Sequence, residues 1–119
     1  METKPGTVGG WGVRFTHEYG WGMATQTPGS GEVYHIHDVY VSYKERGKGL
    51  GNKYHEERIK YLEDQGDVTL VTCIVNKENE AEIKILKKNG WKFLHEFDNK
   101  ERDQRLILCC RHIGFVEKY

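Results

Sequence analysis

A loop with three alternating glycines offers the clearest chemistry in this 119-residue sequence, where it reads Arg46-Gly47-Lys48-Gly49-Leu50-Gly51. It follows a β-branched run and precedes a segment with near-helical apolar spacing. Glycines let the backbone approach a ligand, several N–H groups can converge, and a helix start adds partial positive charge. The loop is therefore a candidate phosphate site. Its spacing fits neither GxGxxG nor GxxxxGK[ST], and a flexible glycine turn is the plain structural alternative.

Two histidines and three cysteines could bind metal or react as thiols. His35 and His37 alternate along a predicted strand, so they share a face at a spacing that can chelate a divalent ion. The other histidines are scattered and supply no fixed third ligand, so no metal site is predicted. Cys73, Cys109 and Cys110 form an odd set without CxxC spacing, which indicates reduced thiols and neither a disulfide framework nor a zinc site.

Composition narrows the class of protein. Lys and Arg together number 18, as do Asp and Glu, so the formal charge of zero gives no general attraction to nucleic acid or anionic membrane. No stretch approaches the roughly 20 apolar residues of a membrane-spanning helix, and the start lacks a signal-peptide core. We therefore expect a cytoplasmic protein. The length predicts a single domain over residues 11–119, and the Gly- and Pro-containing residues 1–10 predict a flexible tail.

Apolar periodicity and turn residues predict the elements that position the loop. The order is strand-strand-strand-helix-strand-helix-strand-strand, an α/β (α+β) domain with a central β-α-β crossover. The predicted ranges are a hairpin over 11–25, a strand over 32–41, a helix ending near 65, a strand over 68–75, a helix over 76–89, and strands over 91–97 and 105–112. The apolar run over 68–75 predicts a strand covered on both faces. The large aromatics Trp11, Trp21 and Trp91 are predicted to pack in the core.

The loop and the second helix resemble the GNAT family of N-acetyltransferases. The acetyl-coenzyme A signature of that family, Arg/Gln-x-x-Gly-x-Gly/Ala, is met at every fixed position by Arg46 to Gly51. A second family pattern, Asn-x-x-Ala…Tyr-x-Lys-x-Gly-Phe, is similar to the segment from Asn79 to Trp91. Its matching positions are Asn79, Lys88, Gly90 and Trp91.

The resemblance implies a mixed, mostly antiparallel sheet that opens where two central strands part, with acetyl-coenzyme A as the acetyl donor bound in the gap. The loop amides would bind the pyrophosphate, Val39 and Val41 would pair with the pantetheine arm through main-chain groups, and Asn79 would lie near that arm. The implied coenzyme residues are Val39, Val41, Arg46, Gly47, Lys48, Gly49, Leu50, Gly51 and Asn79.

Transfer of an acetyl group to an amine requires a base that removes a proton and an acid for the departing thiolate. By resemblance, Glu32 lies near the glutamate base of histone-acetylating relatives, and His37 lies where some polyamine-acetylating relatives carry a catalytic glutamate. An imidazole titrates near neutral pH, which suits a base. The alternatives are a solvated strand-end carboxylate for Glu32 and a hydrogen-bonded strand histidine for His37. The usual acid of the family, a tyrosine, falls on Leu86, and Glu82 stands where alanine is usual.

These observations predict an N-acetyltransferase that acts on a primary amine, of a protein or a small molecule, by direct attack in a ternary complex. The family usually begins with a strand and two helices that wall the acceptor site, and ten residues before Trp11 are too few to encode them. We therefore expect an open acceptor side, a macromolecular acceptor or a homodimer. The alternatives are a non-catalytic acyl-coenzyme A sensor and a protein-interaction module of the same fold.

Overall fold

A computed structural model describes residues 2–7 and 11–114 of the chain, with side chains from residue 12 onward. Its strands are β1 (Glu2–Thr7), β2 (Trp11–His17), β3 (Gly20–Gln26), β4 (Val33–Val41), β5 (Leu70–Asn76), β6 (Lys92–Asn99) and β7 (Gln104–His112). The helices are α1 (Leu50–Asp64) and α2 (Glu80–Lys88), and a short 3-10 turn covers Tyr43–Glu45. The sheet order is β1-β2-β3-β4-β5-β7-β6, with β4 and β5 parallel and the other neighbours antiparallel. The predicted fold class is confirmed.

The N-terminal segment differs from the sequence prediction. Residues 2–7 form β1, which pairs with β2 from Glu2 opposite Thr16 to Thr7 opposite Trp11. The expectation of a flexible tail is therefore wrong for residues 2–7. Strand pairing uses main-chain groups, and an edge strand tolerates a proline such as Pro5, so the weak β propensity of this segment misled the prediction. Residues 1 and 8–10 of the predicted tail lie outside the described residues.

One continuous core joins the strands to both helices. Its largest fully buried side chains are Phe15, Leu62, Val68, Val71, Leu86 and Cys109. On β5 only one face is buried, because Val71, Cys73 and Val75 point inward whereas Ile74 is 46% exposed. The prediction of a strand covered on both faces is wrong. Within residues 2–7 and 11–114, neither helix is long and apolar enough to cross a membrane.

The second helix starts later than predicted. Asn79 caps α2, since its Oδ1 accepts a hydrogen bond from the Glu82 N–H at 3.2 Å. The Oδ1 atom of Asn76 instead accepts a hydrogen bond from the Glu78 N–H at 2.9 Å. The Asn76 side chain therefore stabilises the turn before the helix and does not cap it. The C-terminal end agrees with the sequence, because Gly90 has a φ of 79° and takes the left-handed position after the helix.

The tryptophans have different environments. Trp91 is buried and donates a hydrogen bond from Nε1 to His55 Nε2 at 2.9 Å. Trp21 is 42% exposed and stacks on Tyr40 with ring centroids 4.3 Å apart, so its predicted place in the core is wrong. The Trp11 side chain lies outside the described part.

Candidate functional site

The sheet opens between β4 and β5. Their parallel pairing runs from Val33 opposite Leu70 to His35 opposite Thr72, while β5 continues against β7 as far as Asn76. A 2.8 Å hydrogen bond between His35 Nδ1 and Thr72 Oγ1 joins the strands at the last paired position. Beyond it, the main chain of β4 facing β5 is free of sheet partners among the described residues. This gap can accept a ligand that carries amide groups.

A β-bulge in β4 lies at the start of the gap. Met23 of β3 is opposite His37 and Trp21 is opposite Tyr40, so two residues of β4 face a single residue of β3. One of the two, Asp38, has a φ of 53°, in the left-handed region. A bulge bends its strand and re-aims the side chains around it. Here it occurs directly after β4 leaves β5.

The glycine loop connects the end of β4 to α1. Gly47 and Gly49 have φ values of 80° and 79°, and Gly49 is the N-cap of α1. A Cβ atom at either position would meet open space within 4 Å, so the loop face is accessible. Within residues 2–7 and 11–114, no group accepts a hydrogen bond from the N–H of Gly47, Lys48 or Gly49. The loop therefore presents unused backbone donors next to a helix N-terminus.

A groove of about 510 Å³ lies beside this loop. It is walled by the end of β4, the loop and the first turns of α2. Of the residues predicted to hold the coenzyme, the groove brings together Val39, Val41, Arg46, Gly47, Gly49, Leu50, Gly51 and Asn79. Lys48 does not line it and forms a 2.8 Å ion pair with Glu45.

Arg46 holds the loop against the strand. Its Nε donates a hydrogen bond to the Val41 carbonyl at 3.0 Å. The guanidinium carbon lies 5.4 Å from the Tyr40 ring centroid and 5.7 Å from that of Tyr43. These contacts fix the direction in which the chain leaves β4.

A smaller cavity of about 220 Å³ adjoins the groove. Both are lined by Val39, Arg58, Asn79 and Glu82, which therefore lie where the two spaces meet. The remaining walls of the small cavity come from β4, α1, β5, α2 and Trp91. The arrangement provides a larger groove and a smaller cavity that share part of their walls.

The two candidate bases lie at different places, His37 within β4 and Glu32 just before it. His37 lines the small cavity, and its Nδ1 lies 2.8 Å from Asp38 Oδ2. Because a carboxylate only accepts, Nδ1 carries the proton and Nε2 accepts from the Thr25 hydroxyl at 2.6 Å. Glu32 is exposed at the start of the strand, and neither cavity is lined by it.

Sequence reasoning missed Arg58 as a site residue. It is 4% exposed, and its Nη1 donates to His17 Nε2 at 3.2 Å, while its Nε has no hydrogen-bond partner in the described part of the chain. Burial lowers the pKa of Arg58 to about 10, against the opposing charges of Glu82 and Glu57. Helical spacing could have indicated that Arg58 is buried, because it follows Tyr54 by four residues and lies on the same buried face of α1.

The histidine pair and the three cysteines were the candidates for metal binding and thiol chemistry. His35 and His37 stack with ring centroids 6.0 Å apart, and residues 2–7 and 11–114 contain no group of three metal-ligating side chains. The three cysteines are buried and unpaired. Burial raises the pKa of the Cys73 and Cys109 thiols, which keeps them protonated and unreactive.

Two buried histidines predict a pH-dependent stability. Burial, assisted by the charge of Arg58, lowers the pKa of His17 to about 4 and that of His55 to about 3. Unfolded histidine keeps its ordinary value of 6.5, so below that pH the unfolded chain binds more protons and the free energy of unfolding falls. We expect a loss of about 1.4 kcal/mol per pH unit for each histidine between pH 6.5 and the folded-state values.

Urea unfolding at several pH values measures this slope. His55→Gln removes one of the two groups and should make the slope shallower. An equal slope in native protein and His55→Gln would contradict the assignment.

Comparison with known proteins identifies the family. The sequence profile of the acetyltransferase (GNAT) family matches residues 8–91, which is more than half of the chain. The chain belongs to this family. A sequence comparison with curated proteins gives no match.

Solved structures of GNAT proteins share the fold. The ribosomal-protein-S18-alanine N-acetyltransferase from Escherichia coli superposes with a TM-score of 0.73 at 16% identity, covering 90% of this chain and 71% of that one. An IAA acetyltransferase from Bacillus cereus gives 0.73 at 13% identity, covering 87% and 77%. A ribosomal-protein-alanine N-acetyltransferase from Brucella melitensis gives 0.70 at 17% identity, covering 87% and 68%. At these identities the likeness shows the fold.

Proposed function

We propose that this GNAT protein is an acetyl-coenzyme A-dependent N-acetyltransferase that transfers the acetyl group directly to a primary amine in a ternary complex. The observation that carries the proposal is the row of unused N–H groups at Gly47, Lys48 and Gly49, a row whose two glycines line the groove. Such a row, at a helix N-terminus and without Cβ atoms to block it at the glycines, suits a diphosphate. When bound, acetyl-coenzyme A supplies the thioester whose acetyl group is transferred.

The opened edge of β4 holds the pantetheine arm. Val39 and Val41 line the groove, where an amide-containing ligand can pair with their main chain as an added strand would, beside the hydrogen bond that the Val41 carbonyl accepts from Arg46. Asn79, the N-cap of α2, lines both the groove and the small cavity. Together these residues orient the thioester toward the small cavity.

His37 serves as the base in this proposal. It lines the small cavity, the contact of Nδ1 with Asp38 fixes its tautomer, and Nε2 is the ring nitrogen that takes up the proton. Glu32 is the weaker candidate because it lies outside both cavities. The acceptor class is a primary amine, with protein amines tested first. A homodimer stays a prediction, which light scattering checks.

Calorimetry and thiol release test the function in two stages. Saturable binding of acetyl-coenzyme A followed by release of free thiol with a panel of amines and peptides supports the transferase. The buried, apolar Leu86 at the position of the usual acid favours a second candidate, a non-catalytic acyl-coenzyme A sensor. Binding without thiol release from any acceptor, including lysate protein, would identify the sensor and reject the transferase.

Single substitutions distinguish the two candidate bases. We expect His37→Gln to lower the rate of thiol release by about 100-fold and to remove the acidic limb of its pH profile, because glutamine takes up no proton. Glu32→Gln is the matched control and should keep near-native activity. Loss of activity in Glu32→Gln alone would identify Glu32 as the base. Full activity in both variants would show that neither residue is the base.

A further inference from the structure

Glu82 lies where a proton donor is needed. It precedes Leu86 by four residues on α2, so the two side chains lie on the same face of the helix. Both line the small cavity, and Glu82 also lines the coenzyme groove. Glu82 is therefore one of the residues at which the coenzyme groove and the small cavity adjoin. Leu86 is 1% exposed and carries no transferable proton.

The surroundings of Glu82 shift its carboxyl group toward the protonated form. Burial raises the pKa of Glu82, and the charge of Arg58 opposes that rise without cancelling it. Both side chains line the two cavities, so Arg58 is placed to stabilise the carboxylate once the proton has left. Other titratable groups also surround Glu82. Those that line the small cavity are His35, His37, Asp38, His55 and Cys73, and the charge of Glu82 also acts on Cys109.

We propose that Glu82 is the general acid that protonates the departing thiolate, in place of the tyrosine that the family usually carries at the position of Leu86. This inference rests on the proposed function. In the step, the amine nitrogen forms a bond to the acetyl carbon and the carbon–sulfur bond breaks. Sulfur takes the proton of the Glu82 carboxyl group, while the proton of the amine passes to His37. Solvent then reprotonates Glu82 and deprotonates His37.

Glu82→Gln tests this role, with Glu80→Gln as its matched control. Glu80 lies in the same first turn of α2 but is exposed and lines neither cavity. We expect Glu82→Gln to lower kcat by about 100-fold with little change in KM for acetyl-coenzyme A, because the lost contact is made in the transition state. Its thermal unfolding should match that of Glu80→Gln. Glu82→Asp, which retains the acid, should recover part of the rate.

The pH profile separates an acid from a structural residue. In the native protein, kcat should decline on the alkaline side as Glu82 loses its proton, and this limb should be absent from Glu82→Gln. A native kcat, or an unchanged alkaline limb, in Glu82→Gln would overturn the inference while leaving the proposed function intact. Absence of thiol release by the native protein would overturn both.

A second measurement does not depend on activity. Carbon-13 NMR of the side-chain carboxyl groups follows the titration of Glu82 directly, with Glu82→Gln assigning its resonance. We expect the midpoint of Glu82 to lie above 4.5, the ordinary value for a glutamate side chain, in the protein without ligand. A midpoint at or below that value would overturn the assignment of Glu82 as the acid.

Discussion

Gly49→Glu is expected to abolish detectable binding of acetyl-coenzyme A. The new carboxylate would stand beside the unused N–H groups of the loop, in the place proposed for the diphosphate. Like charges brought together cost several kcal/mol, and each 1.4 kcal/mol is a tenfold loss of affinity, so a loss of about 1000-fold is expected. Isothermal titration calorimetry measures it.

Gly66→Glu controls for backbone strain. Gly66 has a φ of 80°, and a Cβ atom there would meet nothing within 4 Å, so it matches Gly49 in conformation and in space. It lies beyond the C-terminal end of α1, away from the groove. Both variants should lose about 1 to 2 kcal/mol of stability from the left-handed backbone, and Gly49→Glu alone should lose the coenzyme. Native-like binding by Gly49→Glu would reject the loop as the diphosphate site.

Gly20→Ala is expected to cause a large loss of stability. A Cβ atom at Gly20 would lie 2.1 Å from the Tyr40 carbonyl oxygen and 3.2 Å from the Val41 Cα, and both are backbone atoms that no rotamer change can move. β3 and β4 would have to separate at this point. We expect the free energy of unfolding to fall by about 3 kcal/mol, with a parallel loss of coenzyme affinity because Tyr40 and Val41 wall the groove.

Gly31→Ala is the matched control for that experiment. Its added Cβ atom would meet the Gln26 Nε2 atom at 3.2 Å, the flexible end of a side chain that can move aside. Urea unfolding should therefore give a near-native value for Gly31→Ala and a strongly reduced one for Gly20→Ala. Equal midpoints would show that β3 and β4 are not as close at Gly20 as the structure has them.

Local signals determined the elements around the loop. The alternation along β4, the helical spacing after Leu50 and the stop at Gly66 all depend on a few neighbouring residues, so the strand-loop-helix order followed from the sequence. The left-handed conformations of Gly47 and Gly49 agree with the same signals. By contrast, β1 was missed, because its pairing uses main-chain groups that leave little trace in composition.

The sequence by itself determined the fold class, the family resemblance and the segments that line the coenzyme groove, since each follows from short-range spacing. Only the tertiary structure decided which side chains share the inner cavity. Arg58 and Glu82 belong to different helices, and they meet at the two cavities because both helices pack beside the opened sheet. Likewise, Glu32 and His37 are near in sequence, yet only His37 lines the cavity. The physical reason is that contacts between residues distant in sequence set the strand register, the bulge at Asp38 and the helix packing. Such contacts cannot be predicted from the spacing of neighbouring residues.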